Sequence, residues 1–386
     1  MAHRFGRHVP PRTKRILAGV AAVLAVATVA GIALLRPTGE RRPSLQGLGF
    51  VSEVYPAEVI DVGDLPCEGQ PEAAVTCRRV AFDITGGPDA GGTAAQEFVQ
   101  TPSTPDLAVG DRVLLARDPQ APPGFRYRFV DRDRGGLLFW LAVAFAAAVV
   151  ALGRLRGLAA LAGLTVSIGV LLWFVLPAVL DGRNPLAVAV VGSAAIAFLA
   201  LYLAHGFSTM TTVALLGTLA SLGLTAGLAS VVVGLARLSG FASEEAVVVQ
   251  IGAAQIDLAG IILGGVVIGA LGAIDDMTVT QASAVWELRA ANPWSSRRSL
   301  AAAGMRIGRD HIASTVNTLA LAYAGASMPV LLLLILSRQP LSGVVSGEVL
   351  ATEIVRTLVG SIGLVAAVPL TTWLAAAAAP AAGQPA

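Results

Sequence analysis

The sequence predicts an α-helical polytopic membrane protein of about eight transmembrane helices. A small extracytoplasmic β-barrel-like domain, OB- or SH3-like, is expected between helices one and two. Three observations predict this. Of the 386 residues, 55% are hydrophobic and 13% charged, with a mean hydropathy of +0.72, whereas a soluble domain is about a quarter charged. Apolar runs of about 20 residues, enough to cross a hydrocarbon core of about 30 Å, recur along the chain. One long polar stretch, 36–135, interrupts them and is patterned like strands.

The runs cover 16–35, 136–152, 157–180, 185–205, 211–236, 256–275, 311–336 and 350–376, the second being the shortest. The first follows Arg12, Lys14 and Arg15, as a signal peptide would. Its apolar run is longer than a signal's, however, and Leu34-Leu35-Arg36-Pro37 is a poor cleavage site, so an uncleaved anchor is expected. Basic residues set the orientation. With the N-terminus inside, Arg4, Arg7, Arg12, Lys14, Arg15, Arg154, Arg156, Arg289, Arg297, Arg298, Arg306 and Arg309 are cytoplasmic, and the short outer loops carry only Arg183, Arg237 and Arg338. Both termini are therefore expected in the cytoplasm. The chain divides into a basic tail 1–15, an anchor 16–35, the outer β-rich domain 36–135, a seven-helix bundle 136–380 and a tail 381–386. Lys14 is the only lysine among 27 basic residues; this arginine bias points to a GC-rich bacterial genome and so to the bacterial cytoplasmic membrane.

Within the outer domain, Phe50–Val62, Val75–Ile84, Gln96–Thr101, Arg112–Ala116 and Phe125–Val130 read as five strands separated by Gly- and Pro-rich turns. Val80, Phe82 and Ile84 alternate as a half-buried strand requires. Five strands in so short a stretch predict a small barrel. Cys67 and Cys77 are the only cysteines, and the domain has no histidine, so a disulfide is expected rather than a metal site.

Three stretches carry a resemblance. Gly269-Ala-Leu-Gly-Ala-Ile-Asp-Asp-Met-Thr-Val-Thr-Gln, Arg306-Ile-Gly-Arg-Asp-His-Ile-Ala-Ser-Thr-Val-Asn and Gly360-Ser-Ile-Gly-Leu-Val-Ala-Ala-Val-Pro-Leu-Thr-Thr resemble the signatures of the YibE/YibF-like family of bacterial multi-pass membrane proteins. The resemblance covers about 135–380. It implies the architecture but no catalytic or binding residues, because the family's activity is unknown.

Site residues must therefore come from chemistry. Asp275 and Asp276 stand together at the end of a glycine-rich apolar helix, where adjacent carboxylates repel and lose hydration. Asp276, Thr280, Ser283 and Glu287 fall on one face of a continuing helix, and the next span opens with Arg306, Asp310, Ser314 and Asn317, with Arg309 and His311 beside them. With His205 these groups share the cytoplasmic level and could bind an ion or relay protons. The competing reading is structural: Arg306 and Arg309 simply neutralise the aspartates. A weaker outer set comprises Asp257, Glu353 and Arg356, the last two expected as a local ion pair. Gly260, Gly264, Gly265 and Gly269 form two overlapping GxxxG spacings for close helix packing. Tyr323-Ala-Gly-Ala-Ser-Met-Pro329 is expected to kink its helix.

Neither a Walker A loop, an HExxH motif nor a GxSxG elbow occurs, so no enzyme, cofactor or resident metal is expected. The short basic tail suits lipid contact rather than nucleic acid. Two functions remain open. One is a secondary transporter or channel for a small solute or ion, with its polar site at the cytoplasmic end of the sixth span. The other is a non-transporting scaffold or sensor whose β-domain binds an envelope partner or ligand. The bilayer is the expected partner in both, and homo-oligomers are compatible with either.

Overall fold

The computed structural model describes residues 9–39, 53–67, 76–242, 244–253, 255–336 and 340–380. The chain forms two compact units, Ser44–Ala148 and the remainder, Met1–Pro43 with Val149–Ala386.

The first unit holds a five-stranded antiparallel sheet of β1 (Val54–Pro66), β2 (Thr76–Ile84), β3 (Thr93–Val99), β4 (Arg112–Arg117) and β5 (Tyr127–Arg132), in the order β3-β2-β1-β4-β5. All five expected strands form. Val80, Phe82 and Ile84 of β2 alternate inward and pack with Ala57, Val59, Val113 and Leu115. The sheet curls enough for its two edges to meet through side chains: Phe98 on β3 packs edge-on against Phe129 on β5 at 5.8 Å, and the Phe129 N–H donates to Gln96 Oε1 at 2.7 Å. A register shift between Val59 and Asp61 supports the bend. Cys67 and Cys77 are joined, their Cα atoms 5.0 Å apart.

The helical elements are α1 (Pro11–Leu35), α2 (Gly135–Leu180), α3 (Pro185–His205), α4 (Thr209–Leu235), α5 (Glu244–Gly252), α6 (Leu258–Ala291), α7 (Arg297–Ala326), α8 (Met328–Leu336), α9 (Leu341–Ser346) and α10 (Glu348–Ala378). Six of them, α1, α2, α3, α4, α6 and α10, are long and apolar enough to cross a membrane, and α7 with α8 makes a seventh if that bent pair is one span. Among the described residues the count is thus six or seven by length and composition, and the expected eight is not shown. The difference lies in α2, where the sequence predicts two spans and the structure shows one 46-residue helix broken at Arg154, whose backbone takes φ 51° and ψ −131°. The kink predicted near Pro329 is present: α7 and α8 meet at Ser327 with a bend of 61°.

Within the helical unit α6 is central, packed against α3, α4, α7 and α10. A chain of contacts defines one end of this bundle. Asp181, after α2, accepts hydrogen bonds from the Thr38 and Gly39 N–H groups beyond α1; Pro185 lies against Gly260 at the start of α6; and Glu348 accepts from the N–H groups of Ser239 and Gly240. The opposite end gathers Leu17, Val213, Trp286, Leu300 and Ala376 into one apolar cluster.

Candidate functional site

The two overlapping GxxxG spacings of α6 face different neighbours. Gly260 and Gly264 accept Pro185 and Ala189 of α3, which is tight static packing. Gly265 and Gly269 turn the other way. A Cβ on Gly265 would lie 3.6 Å from Arg356 Nη2 of α10, and one on Gly269 would overlap the Tyr323 hydroxyl of α7. Gly272 follows on the same face, exposed and with no neighbour within 4 Å of its Cβ position. Asp276 is next. The spacing 265, 269, 272, 276 is helical, and it continues through Thr280, Ser283 and Glu287. One face of α6 therefore has no bulky side chain from Arg356 down to the paired carboxylates, a distance of about 16 Å at about 1.5 Å per residue.

At the upper end of this face, α5, α6, α10 and the α7–α8 break line an open pocket of about 610 Å³. Its polar lining comes from Glu245, Tyr323, Ser327, Thr352, Glu353 and Arg356, and the rest is mostly aliphatic. Arg356 Nη1 donates to Glu353 Oε1 at 2.7 Å with both side chains half-buried, as their i, i+3 spacing predicts. Asp257 stays apart: it caps α6 by accepting the Gly260 N–H at 3.0 Å.

At the lower end, Asp276 is exposed, and it and Arg156 are the charged groups within electrostatic reach of His205. Asp275 points inward, and its Oδ1 is buried without a hydrogen-bond partner. Among the described residues no salt bridge joins Asp275 or Asp276 to Arg306 or Arg309; Arg306 Nη1 instead reaches the Ala302 carbonyl at 3.4 Å. Arg306, Arg309, Asp310, Ser314 and Asn317 lie on the exposed face of α7, with His311 half-buried. The face of α7 that packs inward is Leu300, Ala301, Gly304 and Gly308. Thr280 and Ser283 are half-buried on α6. Among the described residues, no three His, Cys, Asp or Glu side chains come together as a metal site would need.

A buried polar seam that the polar stripes of α6 and α7 do not announce runs behind Asp275. Thr218 Oγ1 of α4 and Thr278 Oγ1 of α6 are 2.7 Å apart, and Thr278 also donates to the Asp275 carbonyl. Gln281 is fully buried, its Nε2 donating to the Gly304 carbonyl at 2.8 Å and to Thr372 Oγ1 at 2.7 Å. Gly308 leaves room for Gln281 and Val368. The spacing of Thr218, Ser221 and Thr225 on α4 is the signal that marks this seam in the sequence.

No curated protein and no solved structure matches the chain. The family model described as YibE/F-like protein matches residues 141–381, which include α6, α7 and α10 and so both ends of the glycine face. The chain belongs to the YibE/F-like protein family.

Proposed function

We propose that this chain is a multi-pass membrane carrier that couples movement of a small solute to a proton at Asp275. The observation that carries the reading is the buried, unpartnered Oδ1 of Asp275 at the foot of the glycine face. A carboxylate oxygen removed from water needs a donor, a proton or a cation. No arginine bridges to it among the described residues. A proton serves with no further ligands, and exposed Asp276 and His205 beside it offer a route to water.

The bundle's connectivity favours eight spans in this reading. α1 and residues 155–180 both run to the end where Asp181 meets Thr38 and Gly39. A chain threading a bilayer must cross once between them, and 135–152, ahead of the Arg154 break, is the apolar segment available. The arginine asymmetry then assigns the Asp275 end to the cytoplasm and the Glu353 pocket to the outside. A glycine face beside a broken helix is the type of surface on which carriers rearrange.

Proteoliposomes with an imposed pH gradient and an internal pH dye provide the test. A solute that collapses the gradient through the wild type should fail to do so through Asp275→Asn. Infrared spectra of the same protein should show a titrating protonated-carboxyl band that Asp275→Asn removes and Asp276→Asn retains. Equal solute responses from wild type and Asp275→Asn, or no such band at any pH, would overturn the reading.

A further inference from the structure

We infer that the open pocket between α5, α6, α10 and the α7–α8 break takes an uncharged lipophilic molecule with a hydrogen-bond-accepting carbonyl oxygen. Its volume, about 610 Å³, lies within the range of about 300–1,000 Å³ typical of small-molecule sites. The wall is mostly aliphatic, with Val249, Leu258, Ile261, Ile262, Val330 and Leu350 around it. An apolar body gains by leaving water there.

The polar groups decide what that body carries. Thr352 and Arg356 stand four residues apart on α10, so they share one face, and both line the pocket. Thr352 is only 8% exposed, and its Oγ1 is buried without a hydrogen-bond partner. A threonine inside a helix can donate to the carbonyl four residues back, as Thr218 and Thr225 do. Thr352 does not. Arg356 Nε is buried and unpartnered in the same way. The Tyr323 hydroxyl, over the Gly269 position of α6, adds a third donor from the lining. Buried N–H and O–H groups left unmet are costly, so the ligand that suits them brings an acceptor.

Charge sets the other limit. The Arg356 guanidinium is already matched by Glu353, Nη1 donating to Oε1 at 2.7 Å, and Glu245 is likewise not free. An anion would bring a charge with no counter-charge into an aliphatic site. A cation would offer these donors no acceptor. A neutral carbonyl meets both conditions, because one oxygen accepts two hydrogen bonds and carries no net charge.

This inference takes only the ligand's role, as the carried solute, from the carrier reading. Binding is measured without a pH gradient, so each can fail alone. The probe is benzophenone, a ketone that on irradiation attaches to C–H groups beside it. The full chain in lipid nanodiscs should be labelled saturably at Ile262, Val330 and Leu350. 9-Fluorenone should block this labelling at a concentration about tenfold or more below that of fluorene, the order expected for one or two hydrogen bonds. Fluorene has the same frame and no oxygen. Fluorene-9-carboxylate and the 9-fluorenylammonium ion should not block it. Thr352→Val removes an unpartnered hydroxyl, so it should leave thermal unfolding unchanged and weaken fluorenone severalfold but not fluorene. Tyr323→Phe should act in the same direction. Equal potency of fluorenone and fluorene, stronger blocking by either ion, or a preference for fluorenone that survives both substitutions would overturn the inference. Nanodiscs of ester-linked and ether-linked lipid are compared, and fluorenone should act equally in both. Blocking confined to ether-linked lipid would make the bilayer's own ester carbonyls the occupant and overturn the solute.

Discussion

The Tyr323 hydroxyl of α7 occupies the space that a side chain at Gly269 of α6 would need. The glycine is thus a seat for the tyrosine, at the level where the pocket meets the bare face of α6. Gly269→Ala should displace the ring and cost about 1–3 kcal/mol, the usual range for overpacking. Tyr323→Phe removes the overlapping atom and should recover most of that loss in the double variant. Thermal unfolding of the four proteins in one detergent checks this. A double variant no more stable than Gly269→Ala would show that the contact is not the reason for the glycine.

A second glycine tests the rigid side of the same bundle. A Cβ on Gly363 of α10 would overlap Thr225 Oγ1 of α4 and come within 3.2 Å of Thr225 Cβ, and Thr225 is fully buried with its hydroxyl donating to the Ser221 carbonyl. The obstacle here includes a short side chain's Cβ, which cannot swing away as the tip of a tyrosine can. Gly363→Ala should therefore destabilise more than Gly269→Ala, and Thr225→Ala should rescue it. The two thermal shifts, compared directly, decide the ranking.

The fold was legible wherever one physical signal dominated. Apolar run length marked the helices, and the alternation of Val80, Phe82 and Ile84 marked the sheet, because burial imposes those periods. Residues 135–180 were less clear: a single arginine in a left-handed conformation divides them, and no residue-type preference announces that. The site was half legible. Asp275 and Asp276 stand out in an apolar context, but which of the two turns inward depends on helix phase against α4 and α10. Arg306 and Arg309 matched the aspartates in charge and position along the chain, yet they sit on the exposed face of α7. The spacing of Thr218, Ser221 and Thr225 marks a polar face of α4, but the Thr218–Thr278 and Gln281–Thr372 contacts join residues far apart in sequence, and spacing along one helix does not name the partner on another.

The β-unit should weaken in acid through Asp89. Its Oδ2 accepts from the Tyr127 hydroxyl at 2.7 Å and from Arg117 Nε at 3.0 Å, tying the turn after β2 to β5 and β4. The tyrosine hydrogen bond first, and then Arg117, hold the Asp89 carboxyl below its ordinary value of 3.8. A carboxylate depressed in the folded state contributes its full stability above the ordinary value and loses it as the pH falls through the folded one. Asp89→Asn should therefore make the β-unit easier to unfold at pH 7 but leave it little different from wild type near pH 2. Pulse proteolysis of the full chain in urea, reading cleavage within 76–132, measures both. An equal defect at both pH values would assign the effect to lost shape rather than lost charge.

Removing the Cys67–Cys77 bridge should unfold the sheet more easily and leave the helices alone. The bridge spans 10 residues and sits where β1 pairs with β2, Cys77 lying opposite Leu65. Closing so short a loop is worth on the order of 3 kcal/mol by chain entropy. Cys67→Ala with Cys77→Ala should increase proteolysis within 76–132 and leave thermal unfolding of the helical unit unchanged. Non-reducing mass mapping of the wild type should find both thiols closed to alkylation and joined within one chain. Free thiols in freshly prepared protein would count against the pairing.

Replacing the two aspartates one at a time separates a working site from structural neutralisation. Asp275→Asn keeps the shape and removes a charge whose Oδ1 has no donor. It should leave the protein as stable as wild type, or slightly more so, while abolishing solute-dependent proton movement. Asp276→Asn alters an exposed group near His205 and should slow that movement without stopping it. If Arg306 or Arg309 instead neutralised the aspartates, Asp275→Asn would strand a guanidinium, and breaking a buried pair costs about 3–5 kcal/mol. Thermal unfolding and flux, measured on the same preparations, discriminate. A stable but inactive Asp275→Asn supports the proton site. An unstable Asp275→Asn that Arg306→Gln or Arg309→Gln rescues would make the aspartates a packing device.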